Sequence, residues 1–247
     1  MRILLLDIET SPNLAYVWGL WQQNVSIGQI VESTQILSWS AKWYGEPLVY
    51  FDSVQHHSTK RMLKGIHKLL DEADAVIHYN GIRFDIPHLN REFLLSGYSP
   101  PSPYRQIDLL QTAKQRFKFP SNKLEYVANA LGVGNKLKHS GFDLWLGCMR
   151  GDDASWKEME EYNIQDVVLL ENVYNKLQPW VKSHANHSLY NDKESKVCPK
   201  CGGVHLQKRG FAFTLASQYQ RYQCKSCGAW SKDNVIINRN KYKTTEV

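Results

Sequence analysis

The chain has 247 residues, 43% hydrophobic and 22% charged, a balance that can bury a full core and excludes collagen-like, disordered and disulfide-scaffold classes. At about 150 residues per domain, this length fits one large domain plus a small one. The net charge of +6 is uneven: residues 190–247 carry 11 Lys/Arg against 4 Asp/Glu, residues 1–189 carry 19 against 20. The basic excess suggests either a nucleic-acid-facing appendage on a neutral body or a solvated tail. No apolar run approaches the ~18 residues that span a membrane. The first run, Ile3 to Leu6, ends at Asp7 and is too short for a secretory signal. A soluble, cytoplasmic protein without membrane contact is expected.

In chain order, residues 2–9 are apolar and predict a first strand, and residues 35–44 and 48–53 predict two more. Ser58 or Thr59 caps a predicted helix to about Asp71, with Met62, Leu63, Ile66, Leu69 and Leu70 at helical spacing. Residues 75–79 form a short buried-type strand. A helix from about Asp85 to Ser96 stops at Gly97, before a loop with Pro100, Pro101 and Pro103. Ser121 caps a helix through Leu124, Val127, Ala128 and Leu131, ending at Gly132, and the longest helix runs from about Ser155 to Gln178. Residues 182–197 are polar and read as a linker. Three short strands are predicted over 205–213, 219–224 and 230–237. Strands followed by strands alternating with helices give an α/β body with a mixed sheet.

Cys198-Pro-Lys-Cys201 and Cys224-Lys-Ser-Cys227 are two C-x2-C pairs with 22 residues between them. That spacing predicts one structural Zn2+ held by four thiolates. Disulfides would need an oxidising compartment, and a redox C-x-x-C expects a βαβ context that is absent here. The fifth cysteine, Cys148, reads as a buried structural thiol.

Three acidic motifs precede the cysteines. Asp7-Ile8-Glu9 ends the first strand, where alternation puts both carboxylates on one face and Ile8 in the core. Asn80-Gly81-Ile82-Arg83-Phe84-Asp85-Ile86-Pro87 joins a buried strand to a helix, and Asp85 is equally a good N-cap. Tyr162 and Asp166 stand one turn apart on the longest helix. Singly, each motif is ordinary. Together, four carboxylates with a tyrosine beside the last match a two-metal phosphoryl-transfer site, for which hard Mg2+ or Mn2+ ions need oxygen ligands.

The three motifs resemble those of the DnaQ-like, or DEDD, 3′-5′ exonucleases of the ribonuclease H-like superfamily. Tyr162-x-x-x-Asp166 resembles the tyrosine variant, since the histidine variant needs His where Glu161 stands. Tyr79-Asn80-x-x-x-Phe84-Asp85-x-Pro87, followed by Leu89 and Arg91, looks closest to family B DNA polymerase proofreading domains, and the helix leading to Gly132 and Lys136 has the same look. The resemblance covers about residues 1–180. It implies a ribonuclease H-like mixed five-stranded sheet flanked by helices. It also implies that Asp7, Glu9 and Asp166 hold the ion carrying the attacking water, that Asp7 bridges to a second ion, and that Asp85 supports the cluster directly or through water. Tyr162 then orients the water or the scissile phosphate, and 5′-mononucleotides leave a single-stranded or frayed 3′ end.

The expected domains are a nuclease body (1–181), the linker (182–197), a four-cysteine zinc ribbon (198–237) and a basic tail (238–247). Too little chain follows the body for a polymerase domain, so a free-standing enzyme is expected. Asn80 is a candidate for hydrogen bonding to the terminal nucleotide. Phe84 is a candidate for packing beside that nucleotide, or else it belongs to the core. Asp108 reads as a cap or surface acid. In the ribbon, Lys208, Arg209 and Arg221 interleave with Phe211, Phe213, Tyr219 and Tyr222, a pattern suited to phosphate contact and base stacking. Phe213 and Tyr222 also read as the ribbon's own core. DNA is the expected polymer on the second motif's likeness, with RNA as the alternative. A replication or repair protein is a further expected partner, and a non-catalytic binding or docking module is the remaining reading.

Overall fold

The computed structural model describes residues 1–182, 184–190 and 195–239. Two compact units divide it near residue 175.

The larger unit is built on a five-stranded sheet of β1 (Ile3–Thr10), β4 (Ile36–Trp43), β5 (Val49–Ser53), β6 (Ala75–His78) and β7 (Arg105–Asp108), in the order β5-β4-β1-β6-β7. The β1/β4 and β4/β5 pairs are antiparallel, whereas β1/β6 and β6/β7 are parallel. The mixed sheet is therefore present. Its fifth strand, β7, stands where no strand is legible in the sequence. It is four residues long, between a proline loop and a helix. Between β1 and β4, β2 (Leu14–Ala15) and β3 (Ile30–Glu32) make a small hairpin with Tyr16, Trp18, Leu20 and Trp21 exposed.

Alternation along β1 decides the two sides of the sheet. Leu4, Leu6 and Ile8 join Trp39, Ala41 and Trp43 of β4 in one buried core. Above it lie α1 (Thr59–Asp71), which supplies Met62, Leu63, Ile66 and Leu70, and α2 (Asp85–Leu95), which supplies Ile86, Leu89 and Phe93. Each such fully buried side chain contributes about 1.5–3 kcal/mol. On the opposite side stand Asp7 and Glu9, whose register partners on β4 are Ser40 and Ser38. The long helix α6 (Asp153–Leu177) covers these small polar partners. It bonds to Ser38 through Asn163 and pairs Glu171 with the buried Lys42 at 2.5 Å. Thus strand period and helix cover bring the acids of the first and third motifs together.

Three short helices complete this unit: α3 (Leu109–Arg116), α4 (Leu124–Ala130) and α5 (Phe142–Met149). Neither α3 nor α5 is predicted. The caps also differ from expectation. Ser58 precedes α1 but makes no side-chain cap bond, and α4 begins at Leu124 with Lys123 as its cap residue rather than Ser121. Asp108 does cap α3, accepting from Leu110 N and Gln111 N, yet it is buried rather than on the surface. Cys148 is buried on α5, and burial raises its thiol to about 11, as an inert structural cysteine requires.

The smaller unit holds an antiparallel sheet of β8 (Leu206–Phe213), β9 (Ser217–Cys224) and β10 (Trp230–Arg239), with β9 central. All three strands lie where predicted, within two residues. The expected tail is described only at Asn238 and Arg239, which finish β10. Residues 240–247 lie outside the described residues, as do 183 and 191–194 of the expected linker. Among the described residues, no helix is long and apolar enough to cross a membrane.

Candidate functional site

Asp7, Glu9 and Asp166 each offer a carboxylate oxygen, and these oxygens lie within 4.8 Å of one another. Burial first, then the neighbouring carboxylates Asp85, Glu9 and Asp166, push Asp7 well above the usual carboxylate range. Burial and Asp166 push Glu9 up to about 8, while Lys136 and the Trp145 indole N–H work in the opposite direction. Asp166 is also raised, chiefly by burial. Its Oδ2 accepts from Lys136 at 2.5 Å, but its buried Oδ1 has no hydrogen-bond partner among the described residues. Repelling acids around a buried, orphaned oxygen fit a divalent cation with oxygen ligands.

Asp85 is placed differently from these three. Its Oδ1 accepts from Ile8 N at 3.1 Å, stapling the α2 N-terminus to β1. It is the first residue of α2, after Phe84, rather than the cap. Burial raises it to about 7, and its charge is the second cause of the Asp7 shift. It therefore adjoins the cluster through Asp7 and lies outside the trio.

Tyr162 is buried beside Asp166, as their one-turn spacing requires. Its hydroxyl accepts from Lys136 Nζ at 2.9 Å, so its phenolic hydrogen is the one to donate, with Asp166 a hydrogen-bond partner within reach. Burial, Asp166 and Glu9 hold its acidity well above the ordinary tyrosine value, so it is a donor and not a base at neutral pH. Burial opposes a charge on Lys136, but Asp166 and Tyr162 outweigh it and raise the lysine above its usual range. The His139 ring lies 4.8 Å from that of Tyr162. A cavity of about 490 Å3 opens here, lined by Asp7, Tyr79, Lys123, Lys136, His139 and Tyr162.

Several functional neighbours escape sequence reasoning. Asn163 Nδ2 donates to Asp7 Oδ2 at 2.7 Å, and Ser38 Oγ donates to Asn163 Oδ1 at 3.2 Å. This buried relay fixes the Asp7 carboxylate. Asn163 sits between Tyr162 and Asp166 in sequence, but nothing in its own surroundings there distinguishes it. Trp145 comes from the unpredicted α5. Lys136 stands out in the sequence only by family likeness.

Asn80 adopts a left-handed φ of 72°, and its N–H donates to Asp108 Oδ1 at 3.0 Å. Next to it, Gly81 N donates to the buried His78 Nδ1 at 3.1 Å, and a Cβ on Gly81 would lie 2.3 Å from that ring. Only glycine fits there. Phe84 is 39% exposed, tilted against His88, so the core reading of that residue is wrong. It does not line the cavity around Asp7.

In the smaller unit, the four cysteine sulfurs also lie within 4.8 Å of one another, with Cys198–Cys227 and Cys201–Cys224 both at 3.7 Å. A tetrahedron with Zn–S bonds of about 2.3 Å has edges of about 3.8 Å. All four are free thiols. Burial opposes ionisation of Cys224, but the backbone N–H groups of Cys227 and Ser226 outweigh it and bring the thiol down to about 7. This donor set fits zinc.

Register sorts the ribbon's basic and aromatic residues. Lys232 pairs with Arg221 and Trp230 pairs with Gln223, so Tyr219, Arg221, Trp230 and Lys232 share one face. Arg221 stacks on Trp230 at 5.0 Å and Lys232 on Tyr219 at 3.5 Å. Lys208 pairs with Tyr222 on the other face. Arg209 is exposed, and its carbonyl accepts from Arg221 Nε. Tyr222 is buried as expected, but Phe213 is 72% exposed, at the end of β8, and is not core.

The RNase H superfamily model matches residues 4–178, so the chain belongs to that superfamily, and its class is nuclease-type. Among solved structures, the chain is similar to the family B DNA polymerase from the hyperthermophilic archaeon Pyrobaculum calidifontis, at 15% identity and a TM-score of 0.55. That match covers 90% of this chain and 33% of the polymerase, a likeness of fold. A search of curated proteins returns no match.

Proposed function

We propose that the protein is a 3′-5′ exonuclease of the tyrosine DEDD type, acting on DNA strands, with a zinc ribbon that grips the strand. The observation that carries this reading is the convergence of Asp7, Glu9 and Asp166 on one point, with the unpartnered Asp166 Oδ1 and the Tyr162 hydroxyl beside it. Mg2+ or Mn2+ held by these carboxylates would lower the pKa of a bound water and offset charge on the phosphoryl oxygens.

The chain's own groups do the rest. Asp7 is held by the Asn163–Ser38 relay, so its oxygens face the cavity in one orientation. Tyr162, with its lone pair occupied by Lys136, donates its hydrogen to the water or to a phosphate oxygen. Water's oxygen bonds to phosphorus and its proton passes to solvent, the bond to the 3′ oxygen of the penultimate nucleotide breaks and that oxygen takes up a proton, and a 5′-mononucleotide leaves. Asp85 stays an indirect support through Ile8 and Asp7. Asn80 lines a neighbouring hollow rather than the cavity around Asp7, so a contact from it to the strand would lie beside the scissile bond, and the Tyr219/Arg221/Trp230/Lys232 face suits stacking and phosphate contact.

Tyr162→Phe should lower single-turnover rate by roughly tenfold or more without eliminating it, because orientation is lost and the carboxylates remain. An unchanged rate would make Tyr162 a packing residue. Matched DNA and RNA strands, compared by kcat/KM in Mg2+, test the polymer. The DNA assignment rests on the second motif's likeness to the polymerase group, and a preference for RNA would overturn it.

A further inference from the structure

The nearly neutral charge of residues 1–189 conceals a local concentration of cations. Residues 109–123 contain Lys114, Arg116, Lys118 and Lys123 and no acid. On one flank of this stretch, a hollow of about 310 Å3 is lined by Asn80, Arg83, Leu110, Gln111, Lys114 and Gln115. Its lining has two cations and no carboxylate. Arg83 and Lys114 are exposed, and neither side chain forms an ion pair or hydrogen bond among the described residues. Leu110 also lines the cavity around Asp7 and Tyr162, so the two spaces adjoin.

The hollow is held in shape from beneath. Asp108 Oδ1 accepts at once from Asn80 N (3.0 Å), Leu110 N (2.9 Å) and Gln111 N (3.3 Å). One buried carboxylate thus ties the turn that carries Arg83 to the helix that carries Lys114. Two unpaired cations on a fixed frame beside the cavity match a polyanion and leave no role for an acidic protein group of their own.

We infer that this hollow binds an internucleotide phosphate of the strand, one or two nucleotides from the scissile bond, through Arg83 and Lys114. The inference rests on the proposed nuclease reading and adds a strand-binding site on the body, separate from the ribbon. Its substrate consequence is a requirement for length: an ester of a single nucleotide cannot use it.

The test compares the full-length double variant Arg83→Gln/Lys114→Gln with wild type on two probes. One is a 3′-labelled DNA 10-mer and the other is the p-nitrophenyl ester of thymidine 5′-monophosphate. For the 10-mer, KM should rise by on the order of tenfold with kcat nearly unchanged, while hydrolysis of the ester should not change. Fluorescence anisotropy of the labelled 10-mer in buffer without Mg2+ or Mn2+ should show a slope of log affinity against log salt shallower by roughly 1.4, from two phosphate-binding cations at ~0.7 each. The charge-preserving variant Arg83→Lys/Lys114→Arg should restore most of the affinity. Equal salt slopes and equal KM in wild type and the Gln variant would overturn the inference. If wild type cleaves neither probe in Mg2+, the DNA-nuclease reading fails, and the anisotropy slopes still decide whether the hollow binds phosphate.

Discussion

Asp7→Ala should reduce metal-dependent turnover by about a thousandfold or more while changing strand affinity only a few-fold. Asp7 lies between Glu9, Asp85 and Asp166 and is held by Asn163. Loss of a metal-held charge near the reacting phosphoryl group is worth several kcal/mol, and each 1.4 kcal/mol is tenfold in rate. The fold should survive. Asp7 is raised by burial and by like charges, so in the absence of metal its removal relieves repulsion, and thermal unfolding should occur at an equal or higher temperature. Near wild-type turnover by this variant in Mg2+ would remove Asp7 from the site.

The second large effect concerns the ribbon. Cys224→Ser should release the zinc and melt β8–β10 while residues 2–174 stay folded, since apparent binding energies of structural zinc reach ~10–16 kcal/mol and little apolar core replaces them. The core there is Cys198, Cys224 and Ala229, with Cys201, Leu206 and Cys227 packed against it. Zinc content by atomic spectroscopy should fall from one per chain to none, and amide protection over 206–239 should disappear. If the ribbon grips the strand, the salt slope of binding should become shallower, by ~0.7 for each phosphate the melted ribbon no longer holds, while turnover of the mononucleotide ester continues. An unchanged slope after loss of zinc would mean that the ribbon does not touch nucleic acid.

Much of this site is legible in the sequence because its chemistry obeys short periods. Asp7 and Glu9 share a face by the two-residue period of a strand, and Tyr162 and Asp166 share one by the helical turn. The cysteine pairs are equally local. What escapes depends on long-range partners. Lys136 lies in a stretch without regular structure and finds Tyr162 and Asp166 only through folding. Asn163 looks like any helical asparagine until Ser38 and Asp7 are brought to it. Strand β7 has four residues, too few for a period to register, although Asp108 at its end organises Asn80 and α3. Asp85 is recognisable as a motif residue, but its bond to Ile8 N, rather than to the trio, depends on how α2 meets β1.

The direction of digestion separates a 3′-5′ exonuclease from every other nuclease. Wild-type protein in Mg2+ is given the same single DNA strand labelled at its 3′ terminal nucleotide or at its 5′ end, and products are followed in time. A 3′-5′ exonuclease reading requires that the 3′ label leave at once as a 5′-mononucleotide, that the 5′-labelled strand shorten one nucleotide at a time, and that EDTA stop both. Internal cleavage, release from the 5′ end, or no metal-dependent cleavage of DNA would contradict it.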